Sequence, residues 1–140
     1  MNNIQIQGLD QVIRELQKRG ENVTNALETI CNVGAEVIKT SAEHNAPGSI
    51  AGSILKKTAQ KTKNKVTVHV GPSGKKFYAK FIEYGTKSHL IPRGVINGNY
   101  RRNIRHPGIT AKPFMRPAFD TKHDEAQNAM GKKVGELVEE

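Results

Sequence analysis

The chain has 140 residues, 36% of them apolar, no tryptophan, a lone cysteine and a formal net charge of +9. That length suits one modest core, and Cys31 has no partner for an intramolecular disulfide. No apolar run approaches membrane-spanning length. The opening Met1-Asn2-Asn3-Ile4-Gln5 lacks the charged region and apolar block of a secretory signal. The expectation is a single soluble domain over residues 1–140, made in a cytoplasm.

Ile4 and Ile6 alternate with Gln5 and Gln7, a short extended lead-in. From Gly8 the period changes. Leu9, Val12, Ile13 and Leu16 recur at helical spacing, and Lys18-Arg19-Gly20 reads as the end of this helix. A longer helix is predicted from Thr24 to His44, about 30 Å at about 1.5 Å per residue. Asn22 or Thr24 would cap it, and Pro47-Gly48 would stop it. Val23, Ala26, Leu27, Ile30, Val33, Gly34, Val37, Ile38 and Ser41 form its apolar or small face, with Gly34 allowing a neighbour to approach closely. Cys31 in this run reads as a small buried side chain.

The middle of the chain reads as β. Ile54–Gln60 is a weak strand candidate, and Val66, Val68 and Val70 alternating with Thr67 and His69 a strong one. After a turn at Gly71-Pro72-Ser73-Gly74, Phe77, Ala79 and Phe81 alternate with Tyr78, Lys80 and Ile82. This third candidate strand has both faces partly apolar. Short connections make the arrangement antiparallel. Residues 85–112 carry no period and read as a long basic loop awaiting a partner. A final helix follows, with Pro117 in its first turn and Asp120, Asp124 and Glu125 in its first half, where the helix dipole favours anions. The fold class is α+β: a small antiparallel sheet packed against a long N-terminal helix and a C-terminal helix.

Charge is segregated along this order. Residues 1–43 sum to −2, residues 44–119 to +14 and residues 120–140 to −3. The middle contains one acid, Glu83, against fifteen Lys and Arg. Such segregation speaks about partners and assembly.

Five histidines raise a metal site, but none is paired at i, i+4, and His89 and His106 would meet only through folding of the long loop. Glu83 has no second carboxylate nearby in sequence, and nearby cations would keep it ionised. That suits a structural ion pair, with Arg116 or a local Lys, better than a general acid. No nucleophile elbow is present. No catalytic residue, metal or cofactor is therefore assigned. Lys56, Lys57, Lys61, Lys63 and Lys65 are either a solvated strand edge or a surface that tracks phosphates. Arg101-Arg102-Asn103-Ile104-Arg105, with Arg93, would contact an acidic protein surface or nucleic-acid phosphate.

Phe81-Ile82-Glu83-Tyr84-Gly85-Thr86 is followed, after the loop, by His106-Pro107-Gly108 and then by Ala111-Lys112-Pro113-Phe114-Met115-Arg116-Pro117-Ala118-Phe119. Gly8-Leu9-Asp10 opens the first helix and Ala46-Pro47 closes the second. This ordered set, spanning nearly the whole chain, resembles the tail-completion or head–tail joining (neck) proteins of long-tailed bacteriophages. The resemblance implies a non-enzymatic virion protein that forms a ring at the head-proximal end of the tail. Its partners would be tail-tube and head connector proteins and further copies of itself, with non-specific contact to DNA in the channel and none to membrane. It would be assembled in the bacterial cytoplasm.

The motif residues are then Glu83, Gly85 and Thr86, with Pro113, Phe114, Arg116 and Pro117. Gly85 would turn the backbone where a strand ends. The two prolines would set the chain direction around an anchoring Phe114. The expected interaction surface is Lys56, Lys57, Arg93, Arg101, Arg102 and Arg105. The alternative from the residues alone is a small basic nucleic-acid-binding module; a nuclease-like His/Lys/Glu site using His106 is the weaker third reading.

Overall fold

The computed structural model describes residues 4–19 and 22–139, and leaves out the side chains of Val95, Ile96 and Arg101. Gly20, expected at the end of the first helix, and the side chain of Arg101 thus lie outside the described residues. The fold is α+β.

Helix α1 (Leu9–Lys18) starts after Gly8, whose φ of 78° is one that L residues rarely adopt. Helix α2 (Val23–Asn45) is the spine. The Asn22 side chain accepts the Asn25 backbone N–H at 3.3 Å, satisfying one of the free donors of the first turn. The helix ends at Ala46, which is extended because the residue before a proline avoids helical ψ. A single turn, α3 (Gly48–Ala51), folds the wholly buried Ile50 back under α2.

Strands β1 (Ile54–Thr62) and β2 (Lys65–Pro72) form an antiparallel hairpin that packs on α2. A bulge between Thr58 and Gln60 shifts the phase of β1 by one residue. Thr58 and Lys61 consequently both face α2, where they share the carboxylate of Glu28.

The predicted third strand is not a strand. Gly74–Lys76 is a 3₁₀ turn, and Ala79–Tyr84 is helix α4. Tyr78, Ala79, Ile82 and Glu83 turn inward together, at helical spacing. A two-residue period fits Phe77–Ile82 only because apolar residues lie on both faces of the segment.

The last helix, α5 (Met115–Glu139), runs antiparallel to α2. Ala118 joins the cluster around Ala42, and Leu137 reaches the cluster around Leu27. Between these ends the helices approach closely, because a Cβ on Gly34 would lie 2.7 Å from Met130 Cγ. One core cluster gathers Ala42, Ile50, Ile54, Ala79, Phe114 and Ala118, and the other Leu16, Val23, Ala26 and Leu27. Burying side chains such as Phe114, Leu16, Ile50 and Ile54 contributes about 1.5–3 kcal/mol each.

Candidate interaction surface

Residues 85–112, expected to be without structure, are an ordered two-stranded arm. Strand β3 (His89–Ile91) pairs with β6 (Ile104–His106), and β4 (Gly94–Ile96) with β5 (Asn99–Arg101), all antiparallel. The tip is the two-residue turn Asn97-Gly98, with φ values of 50° and 77°. Positive φ at both positions matches the right-handed twist of a hairpin, which is why Asn-Gly favours it. Midway, the Asn103 side chain accepts the Arg93 backbone N–H at 2.6 Å.

The base of the arm is clamped. Thr86 and Ile109 exchange backbone hydrogen bonds of 2.9 and 3.1 Å, and the Thr86 hydroxyl also accepts the Ile109 N–H at 3.0 Å. Gly85 ends α4, a helix and not the expected strand, with φ 71°. A Cβ there would meet Ile109 O at 2.7 Å and the Ala111 nitrogen at 2.8 Å. Gly108, at φ 89°, packs equally tightly on Thr86.

Glu83 does not pair with the Arg116 side chain. Its Oε2 accepts the backbone N–H groups of Phe114 and Met115 at 2.7 and 3.0 Å, and its Oε1 that of Arg116 at 3.0 Å. The first turn of α5 has no further free donor there, because the next residue is Pro117, which lacks an N–H. The short helix that carries Glu83 thus caps the long helix, and the carboxylate sits at the positive end of its dipole. Phe114, 1% exposed, is pinned into the core beside it, directly after Pro113. The Lys112 N–H, bonded to Ile82 O at 2.7 Å, makes a further tie between the arm's return and α4.

The basic residues divide into two groups. Lys56 is held by Glu36 at 2.7 Å and Lys61 by Glu28 at 2.5 Å, both against α2. Lys61, followed by Thr58, holds the Glu28 carboxyl below the usual range; Lys56 does the same to Glu36. Lys56 is therefore an internal ion pair more than an offered cation. Its place follows from alternation: Ile54 is buried, so Lys56 and Thr58 point the same way. Lys57 faces solvent on the opposite side of the hairpin.

On the arm, Arg102 and Arg105 are exposed, and Arg93 places its guanidinium 5.6 Å from the Tyr100 ring centre. Leu90, Ile91, Tyr100, Ile104 and Ile109 are also exposed there. The arm therefore offers cationic and apolar groups together.

Pairing of β3 with β6 stacks the rings of His89 and His106, with centres 5.0 Å apart. No third ligand joins them: among the described residues no three His, Cys, Asp or Glu side chains converge on a metal position. The His106 Nδ1 accepts the Gly108 N–H at 3.0 Å, so this ring also helps to shape the arm's return. Cys31 is half-buried, and its thiol lies 3.7 Å from Val66 O. Burial, with a smaller contribution from Glu28, pushes this thiol's pKa up. No helix among the described residues is long and apolar enough to cross a membrane.

These features define an α+β protein with a small core and a clamped, cationic arm. The family model described as "Bacteriophage HK97-gp10, putative tail-component" matches residues 10–85. That is more than half of the sequence, and the chain belongs to this HK97-gp10-like family of phage tail components. The matched region runs from α1 to the end of α4 and stops where the arm begins. No curated protein and no solved structure matches significantly. Membership assigns the chain a structural role in the virion, alongside other tail and head proteins.

Proposed function

We propose that this protein completes the phage tail and makes the head–tail joining surface, as a ring of identical subunits at the head-proximal end. The observation that carries this reading is the arm. It is ordered and clamped at Thr86 and Ile109, yet exposes Leu90, Tyr100, Ile104 and three arginines, Arg93, Arg102 and Arg105, that the chain itself leaves uncovered. Rigid presentation of mixed apolar and cationic side chains suits recognition of a partner protein, with arginine and tyrosine as anchors. The partner is a tail-tube or head connector protein. Lys57 extends the basic surface, whereas Lys56 stabilises the fold. The protein is assembled in the host cytoplasm and retained in the virion.

The test is localisation. Gold-labelled antibody against the protein should decorate intact virions once, at the junction of head and tail. Decoration along the tail or at its distal tip would contradict the proposal.

A ring at this position surrounds the DNA passage, and an arm turned inward would meet duplex phosphates. Duplex binding by the purified protein that weakens steeply with salt would place the arm in the channel. Absence of duplex binding at physiological salt would place it on the protein-facing rim.

A further inference from the structure

Helix α4, with the helical-backbone residues Phe77 and Tyr78 just before it, has two apolar faces, and the chain uses one. Tyr78, Ala79 and Ile82 pack into the core. Phe77, Phe81 and Tyr84, at i, i+4 and i+7, lie on the other side and are 71%, 37% and 80% exposed. Isolated exposed apolar residues are ordinary; three aromatic rings in one stripe mark a contact surface.

The surroundings define the partner's charge. Lys75, Lys76, Lys80 and Lys87 flank the stripe in sequence, and Lys80 Nζ lies 5.1 Å from the Phe81 ring centre. The carboxylate of this helix, Glu83, points inward with both oxygens engaged by backbone N–H groups. The stripe therefore suits an anionic surface. The arm of another copy is excluded by like charge, since it brings Arg93, Arg102 and Arg105.

We propose that the stripe docks on the outer face of α5 of a second copy, where Asp120 and Asp124, one turn apart, meet solvent. The Asp124 side chain is 82% exposed, with His123 Nε2 2.9 Å from its Oδ1, whereas Glu125 pairs with Lys122 at 2.8 Å on the side of α5 that lines the groove against α2. Stripe and acidic face are different surfaces of one chain. Their contact is heterologous and repeats head to tail, which is how a ring is generated. This inference rests on the ring reading above and names its subunit interface.

The test uses phage carrying altered copies of the gene. Lys76→Glu with Lys80→Glu should lower the titre about a hundredfold, as should Asp120→Lys with Asp124→Lys, because each sets like charges against each other across the interface. All four changes together should restore the titre to within about tenfold, since the attraction is re-formed with its sign reversed. Phe77→Ser with Tyr84→Ser should lower the titre while the purified variant melts as the parent does, because these two residues are the most exposed of the stripe. Two results overturn the proposal. Loss of titre with no mutual rescue would give the stripe to a different protein, and an unchanged titre in the serine variant would leave it without a contact. Failure of the joining role is separable: deletion of the gene would then leave infectious particles, whatever the charge variants do.

Discussion

The Glu83 carboxylate accepts the Phe114 backbone N–H at 2.7 Å and joins two helices at the floor of the arm. One side chain satisfies the three donors of residues 114–116 and holds the chain where it re-enters the core. Glu83→Ala should cost about 3 kcal/mol, the usual scale for stranding buried donors of a charge-assisted network. Glu83→Gln should cost about 2 kcal/mol, because the amide keeps one acceptor and sets its NH₂ against the remaining N–H. Thermal unfolding of both variants checks this; an unchanged Tm for Glu83→Gln would contradict the capping role.

Gly85 and Gly34 are predicted to respond differently to alanine. At Gly85 the new Cβ strikes backbone atoms of Ile109 and Ala111, and its φ of 71° strains any L residue. Gly85→Ala should therefore destabilise by about 2–4 kcal/mol. At Gly34 the obstacle is the flexible Met130 side chain, and alanine raises helix propensity, so Gly34→Ala should stay within about 1 kcal/mol of the parent. Denaturant melts of the two variants measure the contrast.

The helices and the β1–β2 hairpin were legible because their apolar residues follow one period. α4 was not, because its outward face is as apolar as its inward face and its buried polar residue is a carboxylate. The grouping of Tyr78, Ala79, Ile82 and Glu83 was the helical signal. The arm has one local signal, Asn97-Gly98 between Val95-Ile96 and Asn99-Tyr100, a hairpin signature too short to show as a period. The basic run alone does not reveal the Lys56 ion pair; its signal is Glu28 and Glu36, eight residues apart on the face of α2 that the hairpin covers. The Glu83 cap needed the fold itself, since it brings together residues about thirty apart.

Replacing residues 89–106 with a short Gly-Ser link should leave the core intact, since these strands pair with one another and both core clusters lie elsewhere. The expected result is a Tm within a few degrees of the parent, together with loss of complementation in phage lacking the gene. A large fall in Tm would make the arm part of the fold.

Acid should weaken the hairpin's hold on α2. The folded-state carboxyls of Glu28 and Glu36 are depressed by Lys61 and Lys56, so the unfolded chain binds those protons more readily. Their contribution is fully present above the ordinary glutamate value and is lost as pH falls through the depressed folded values. Glu28→Gln should make the acid limb of the stability curve shallower. Because these groups are partly exposed, the difference should shrink in high salt. An acid limb identical to the parent's would remove these pairs from the account.

The most direct measurement of the central claim is electron microscopy of the lysate from a phage lacking this gene. The account predicts DNA-filled heads beside separate, unattached tails, with joined particles restored when the protein is supplied from a plasmid. Intact, infectious, joined particles in the deletion lysate would contradict it.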